Sequence, residues 1–348
     1  MTGMNIQEKV SLADHSTMGL GGLANYLTTV STNMELLDAL SWAQTHQLPI
    51  IMIGSGSNIV WKDEGFPGLV IGNNIQRYET FNEDDENIYV TAGAGEHWDT
   101  VVQRTAQAGL TGIEALSLIP GTTGATPVQN VGAYGQEISQ VLTTIEAFDT
   151  QQSDFVTIRG DDCGFGYRTS RFKTYDRGRF YITAITMHLR RADPEPPYYS
   201  RVKSYFDENG VTDVTPQALR EAVIDIRQSR LPDPATVKNN GSFFANPVIP
   251  NDDLVRIHAG YPDMPAWTQE DGKAKIPAAW LIEQAGFKDF HDPQTGMATW
   301  PAQSLVLVNE KAKSTADLLN FKKQIVDAVN TKFGITLVQE PELLPLPQ

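Results

Sequence analysis

The run Leu118-Ile-Pro-Gly-Thr-Thr-Gly-Ala-Thr-Pro-Val-Gln-Asn-Val-Gly-Ala-Tyr-Gly135 has the makings of a ligand-holding loop. It is too irregular for a helix or strand and too apolar for a solvated linker. Gly121, Gly124, Gly132 and Gly135 are expected to turn the chain through positive φ and bring its backbone close to a ligand. Successive amides in such turns can converge on an anion. A second run, Pro49-Ile-Ile-Met-Ile-Gly-Ser-Gly-Ser-Asn58, offers similar chemistry through Gly54, Ser55, Gly56, Ser57 and Asn58. Alone it reads equally well as a strand-to-loop turn. Neither run contains lysine, so together they predict a phosphate-bearing cofactor held mainly by main chain.

Three further segments carry reactive side chains. Arg168 follows a Gly/aromatic turn in Gly164-Phe-Gly-Tyr-Arg-Thr-Ser-Arg-Phe-Lys173, where its planar fork suits a carboxylate; a surface ion pair is the plainer alternative. Ser242 lies in Asn239-Asn-Gly-Ser-Phe-Phe-Ala-Asn-Pro247, either as a reactive hydroxyl or as a turn serine before two buried rings. Glu340-Pro-Glu342 is either an exposed acidic tail or a pair of functional carboxylates at the end of a strand. Gly19-Leu-Gly-Gly-Leu-Ala24 nearly matches a dinucleotide fingerprint, but a strand, Tyr26 to Val30, follows it where a helix is required. There is no Walker lysine, zincin helix or Gly-x-Ser-x-Gly elbow, and the histidines lack metal spacing.

The elements that position these segments alternate helix and strand signals. Thr32-Asn-Met-Glu35 reads as a capping box before an amphipathic helix. Strands are expected at Ile50 to Ile53, then as a pair at Gly68 to Ile71 and Ile88 to Ala92, with the acidic stretch Asn82 to Asn87 as a solvated hairpin or loop between them. A helix from Glu96 to Gln107 should stop at Gly109. Strands follow at Thr143 to Phe148 and Phe180 to Leu189. Asp193 to Pro197 breaks both periodicities, and Thr215-Pro216 caps another helix. Arg227 to Asn240 resembles a hinge. A short helix over Ala278 to Ala285, a strand over Ser304 to Asn309, a long helix from Ser314 to Gly334 and a strand from Ile335 to Glu342 complete the chain.

With 348 residues, 41% hydrophobic and 20% charged, the chain has material for two or three domains with real cores. A formal charge of -15 argues against nonspecific binding to a phosphate backbone, so no nucleic-acid partner is expected. The one cysteine, Cys163, excludes an internal disulfide framework or a Cys-rich zinc site. No run is long and apolar enough for a bilayer, and the start lacks a secretory pattern, which points to the cytoplasm.

The strings Pro120-Gly-x-x-Gly-x-x-Pro-Val-Gln-Asn-Val-Gly-Ala-Tyr-Gly135, Gly54-x-Gly-Ser-Asn58, Gly166-Tyr-Arg-Thr-Ser170, Gly241-Ser-Phe-Phe-x-Asn-Pro247 and Glu340-Pro-Glu342 resemble those of the UDP-N-acetylenolpyruvoylglucosamine reductases, also called UDP-N-acetylmuramate dehydrogenases. The likeness runs nearly end to end. It implies an α+β fold with a vanillyl-alcohol oxidase-type (PCMH-like) two-part FAD-binding region and a separate α+β substrate-binding domain. The implied division is 1–75, completed by a C-terminal strand at 333–348, then 76–228, then 229–332. FAD is implied between Gly54, Ser55, Gly56, Ser57 and Asn58 on one side and Pro120, Gly121, Thr122, Gly124, Ala125, Thr126, Pro127, Asn130 and Gly132 on the other, with Arg227 alongside. Tyr199 falls where the long form of the family has a tyrosine loop over the nucleotide. Asn246 and Arg230 are the other implied substrate contacts. Arg230 stands where that form usually has lysine, and Glu342-Leu-Leu344 stands where the family commonly reads Glu-Val-Arg.

The resemblance further implies a peptidoglycan-precursor enzyme that takes NADPH and UDP-N-acetylglucosamine enolpyruvate, with a monomer expected. Reduced flavin would pass hydride from N5 to the alkene. Arg168 would pair with the substrate carboxylate, Glu342 would act protonated near it, and Ser242 would give a proton to the adjacent carbon. Two rivals follow from the same residues: a sugar or alcohol oxidase of the same fold, and a catalytically silent flavin- or nucleotide-binding protein.

Overall fold

The computed structural model describes residues 4–269 and 271–346. The chain forms two compact units. The first comprises the chain through Val10, Ala24–Ser55 and Phe66–Ser229; the second comprises Ser11–Leu23, Gly56–Gly65 and the chain from Arg230 onward.

Two larger sheets build most of the first unit. One has the strand order Gln7–Ser11, Leu23–Val30, Phe66–Asn73, Ile50–Ile53, with the last two and the second pair running parallel. Helix α1 (Asn33–Thr45) packs Leu36, Ala39 and Ala43 against Val30, Leu69 and Ile71. Its N-terminus differs slightly from a reciprocal capping box. Thr32 Oγ1 accepts the Glu35 N–H at 3.1 Å, but the Glu35 carboxylate receives the N–H of Ser31, one residue earlier.

The other sheet is antiparallel along Asp154–Arg159, Leu142–Asp149, Phe180–Arg191, Asn87–Gly93 and Tyr78–Asn82. The strands at 68–71 and 88–92 are therefore not partners. The partner of Asn87–Gly93 is Tyr78–Asn82, a largely exposed strand whose polar residues hide it in the sequence. The acidic stretch closes this hairpin, with Asp84 accepting the N–H groups of Glu86 and Asn87 at 2.8 and 2.7 Å. Helix α2 (Trp98–Gln107) seals the sheet with Trp98, Val101 and Val102. It starts later than Glu96 because the Glu96 carbonyl accepts from Thr123, which keeps that segment extended. Helices α3 (Ser200–Asn209) and α4 (Pro216–Gln228) share a satellite core of Val202, Phe206, Leu219, Ala222 and Val223 on Ala115. Thr215 caps α4 as its sequence predicts, accepting from the Ala218 N–H.

In the second unit, an antiparallel sheet runs Asn239–Ser242, Gln303–Asn309, Met297–Trp300, His291–Asp292. Helices α5 (Asn251–Gly260), α6 (Ala278–Gln284) and α7 (Thr315–Phe333) enclose a core that includes Phe243, Phe244, Leu281, Leu307, Phe321 and Ile325. Ser314 and Asp317 form a full capping box on α7, and Asp63 accepts from the Thr315 and Ala316 N–H groups. The expected strand at 335–342 is extended but mostly unpaired. Ile335 and Leu337 are buried, a single bridge joins Gln339 to Phe244, and ladder pairing begins only at Glu342–Leu344, which runs parallel to Ile59–Trp61. The Gly19–Gly22 stretch leads into the strand Leu23–Val30, and a Cβ on Gly21 would lie 2.5 Å from Trp61 Cβ, so its glycines serve packing. No helix among the described residues is long and apolar enough to cross a membrane.

Candidate active site

In the first unit the two glycine runs meet. Ile50–Ile53 delivers Gly54 against Thr122, so closely that a Cβ on Gly54 would lie 2.2 Å from Thr122 Oγ1. The longer run lies antiparallel to residues 94–98: the Trp98 N–H donates to Gly121 O at 3.0 Å, Thr123 N–H to Glu96 O at 2.9 Å, and Gly124 N–H to Ala94 O at 2.9 Å. The amides of Ala125 and Thr126 close a 3₁₀ turn on Thr122 and Thr123. The expectation of consecutive amides converging on an anion is thus revised. Four amides from Thr123 to Thr126 are spent on protein carbonyls.

The glycines also divide by cause. Gly121 and Gly135 have φ of 141° and 90°, which only glycine adopts easily. Gly124 and Gly132, expected to share that conformation, do not; at Gly124 the requirement is space, because a Cβ there would sit 2.5 Å from Ala94 Cβ.

The second half of the run is buckled to the segment at 166–170. Asn130, buried and at φ 50°, donates to Glu137 Oε2 and Gly166 O and accepts from the Ser139 N–H. Arg168 Nη2 donates to Gly132 O at 2.6 Å, and Nη1 reaches Asn130 O at 3.5 Å. Ser170 Oγ donates to Val128 O at 2.6 Å. Thr126 and Pro127 are buried beneath, with Thr126 Oγ1 bonded to Thr123 O, while Pro120 and Ala125 are exposed.

Tyr134, not singled out from the sequence, links two residues that were. Its ring meets Tyr199 edge-on at 5.6 Å, and its phenol bonds the Arg227 side chain. Burial pushes the Arg227 guanidinium pKa down, with Tyr134 and Asp99 opposing. Arg227 Nε is buried with no hydrogen-bond partner among the described residues. Such a donor carries a desolvation penalty of about 1–3 kcal/mol unless a ligand accepts from it.

Sequence reasoning also missed Asp99 and Arg220. Arg220, 5% exposed, sits in the apolar face of α4, where a charge demands a partner. It grips Asp99 with two bonds of 2.6 and 2.8 Å. Burial alone would raise the Asp99 pKa, but Arg220 and the Leu118 N–H outweigh it and hold the carboxyl below its usual range.

The second unit holds both Ser242 and Glu342, and the backbone just after Ser242 meets the segment that leads to Glu342. Phe244 bridges Gln339, and the Glu340 N–H donates to Phe243 O at 2.9 Å. The Glu342 N–H donates to Asn58 O at 3.0 Å, joining the carboxylate's strand to the end of the shorter glycine run. Asn240 adds a second tie, its amide donating to Thr17 Oγ1, Ser57 O and Ile59 O. Gly241 at φ 67° then turns the chain so that Ser242 is exposed while Phe243 is buried. Asn246 Oδ1 accepts the Ala278 N–H at the start of α6, leaving its amide nitrogen as the donor it can offer a ligand. Arg230, half-buried, opens the last segment of this unit. Leu344, where the related pattern has arginine, is buried and its carbonyl accepts from Lys62 N–H. The expected catalytic trio is therefore divided, with Arg168 in the first unit and Ser242 and Glu342 in the second.

A family model described as an FAD binding domain matches residues 24–157, and one described as the UDP-N-acetylenolpyruvoylglucosamine reductase C-terminal domain matches residues 233–344. The chain is 40% identical over 341 residues to the UDP-N-acetylenolpyruvoylglucosamine reductase of Alcanivorax borkumensis, covering 97% of this chain and 96% of that protein. Against the reductase of Pseudomonas putida it is 40% identical over 337 residues, covering 97% and 98%. The crystal structure of UDP-N-acetylenolpyruvylglucosamine reductase from Thermus caldophilus superposes with a TM-score of 0.68 at 25% identity, over 98% of this chain and all of that one. The expected fold class holds: α+β, with an FAD-binding region and a separate α+β part.

The residues present fit FAD. Glycines allow the close meeting of two loops at Gly54 and Thr122, and a buried Arg227 Nε lacks an acceptor. Gly124→Val should test the longer glycine run directly. Its side chain would wedge Thr123–Ala125 off Ala94, an overpacking of about 1–3 kcal/mol. Purified protein is expected to come out depleted of flavin colour and to rebind FAD about ten-fold or more weakly by absorbance titration, whereas retained colour and affinity would dissociate this turn from the cofactor.

Proposed function

The chain belongs to the UDP-N-acetylenolpyruvoylglucosamine reductases, FAD-dependent oxidoreductases, and from that membership we propose that it uses NADPH to convert UDP-N-acetylglucosamine enolpyruvate to UDP-N-acetylmuramate. FAD held by this chain would supply two-electron hydride chemistry through its N5, between NADPH and the terminal alkene carbon. This chain's residues do the rest. Gly54–Asn58 and Pro120–Gly132 hold the cofactor, with Arg227 alongside. Arg168 receives the substrate carboxylate and stabilises the charge that spreads onto it during reduction. Glu342 completes the catalytic set beside that carboxylate. Ser242 Oγ–H gives its proton to the carbon adjacent to the carboxylate and is reprotonated from solvent, which balances the added hydride. Tyr199, Arg230 and Asn246 hold the nucleotide part. The same reading assigns 1–75 with 333–348, and 76–228, to FAD, and 229–332 to substrate.

What supports this reading is that Ser242 and Glu342 fall in one unit, with the serine exposed and the backbone of its neighbours fixed by hydrogen bonds. The test is an anaerobic pair of half-reactions followed by flavin absorbance. NADPH should bleach the flavin, and the enolpyruvyl nucleotide should restore its colour. Reoxidation by oxygen but not by the nucleotide would make the protein an oxidase instead. Colourless protein that FAD cannot reconstitute would defeat both.

A further inference from the structure

The entrance to the longer glycine run is held by a buried ion pair. Asp99, in the first turn of α2, accepts the Leu118 N–H at 2.5 Å through Oδ1. The same carboxylate receives Arg220 from α4 through Nη1 at 2.6 Å and Nη2 at 2.8 Å, and Nη1 also donates to Ser117 Oγ at 2.9 Å. Side-chain exposures of 6% for Arg220 and 18% for Asp99 make this a desolvated contact, where a charge-assisted bond is stronger than at the surface.

What is held matters more than how tightly. Leu118 has φ 57°, a left-handed conformation that a branched side chain rarely takes unless its surroundings impose it. Two residues later comes Pro120, and then the turn at Gly121. An unfastened Leu118 would relax toward ordinary backbone and swing that turn away from Gly54. Arg220 also lies two helical turns before Arg227 on the same side of α4, so the grip that fixes Leu118 fixes the helix presenting Arg227.

We propose that Asp99 and Arg220 are positioning residues for the cofactor: a clamp that holds Ser117–Leu118 and α4 so that FAD meets a loop already in its bound shape. This rests on the reading that Pro120–Gly132 carries FAD. A preformed loop has no ordering to undergo on binding, and affinity gains by that amount.

The test compares apoproteins for FAD affinity, melting temperature and amide hydrogen exchange. Replacing a buried pair by apolar residues of similar size is often neutral for stability, so the informative variant is Asp99→Leu with Arg220→Met. It should melt near the wild type, exchange Leu118 faster, and bind FAD about 10- to 100-fold more weakly, the range for loss of charged hydrogen bonds. Arg220→Lys is the milder companion. It keeps a charge beside Asp99 but loses the two-point grip, and should weaken FAD by several-fold. Wild-type Kd in either variant, once folded, overturns the clamp. In the wild type, FAD should slow exchange at Gly121–Gly132. Tight FAD binding without protection there would overturn the loop assignment and the inference with it, whereas protection there with unchanged variant Kd overturns the clamp alone.

Discussion

Alanine at Ser242 should leave flavin reduction by NADPH within about three-fold of the wild type, and slow reoxidation by the enolpyruvyl nucleotide by about 10²- to 10⁴-fold, the usual worth of a positioned proton donor. The asymmetry follows from what the substitution touches. Ser242 is exposed, and the bonds that fix its strand are made by neighbours: Gly241 N–H to Asn239 Oδ1, Phe243 N–H to Leu305 O, and Glu340 N–H to Phe243 O. Removing one hydroxyl leaves all of these intact, so FAD affinity and melting temperature should stay unchanged. Only the step that needs a proton at carbon suffers. A solvent deuterium effect on reoxidation, present in the wild type and absent from reduction by NADPH, would accompany it. Equal loss in both half-reactions would mean that Ser242 shapes the site rather than protonating the substrate.

How much of this was legible in the sequence depends on the range of the interaction. Capping is local, so Thr215, Ser314 and Gly334 announced α4 and α7 correctly. Apolar runs also marked Ile50–Ile53 and Gln303–Asn309. Strand pairing is not local, and the exposed Tyr78–Asn82 strand carries no apolar alternation by which to find it. Gly124 was visible as a glycine, but its reason, contact with Ala94, lies thirty residues away in the chain. Asp99 and Arg220 are separated by 121 positions, and neither is unusual alone. The site showed the same split. Short strings singled out Arg168, Ser242 and Glu342 as candidates, while Tyr134, which meets Tyr199 and Arg227, and Asp99, which holds Leu118 and Arg220, had no local signal. Nor could a reading in chain order foresee that Ser11–Leu23 and Gly56–Gly65 would join the C-terminal part.

Lysine at Arg168 is expected to lower kcat/KM for the enolpyruvyl nucleotide by about 10²- to 10³-fold, as for other removed donors at a developing charge. The side chain has two duties that this substitution separates. Its guanidinium fastens the glycine run through Gly132 O and Asn130 O, and it is proposed to grip the substrate carboxylate. Lysine keeps the charge but lacks the rigid fork needed for diverging bonds. Arg168 has φ 55°, and lysine would bear the same backbone strain, so that contribution cancels in the comparison. Loosening of the loop should appear as a several-fold weaker FAD affinity, and saturating FAD should abolish its kinetic consequence. The loss that remains at saturation belongs to the carboxylate, and it should fall on reoxidation while reduction by NADPH changes little. If saturating FAD restored wild-type kcat/KM, Arg168 would be a fastener of the loop and nothing more, and the charge on the reacting acid would need another partner.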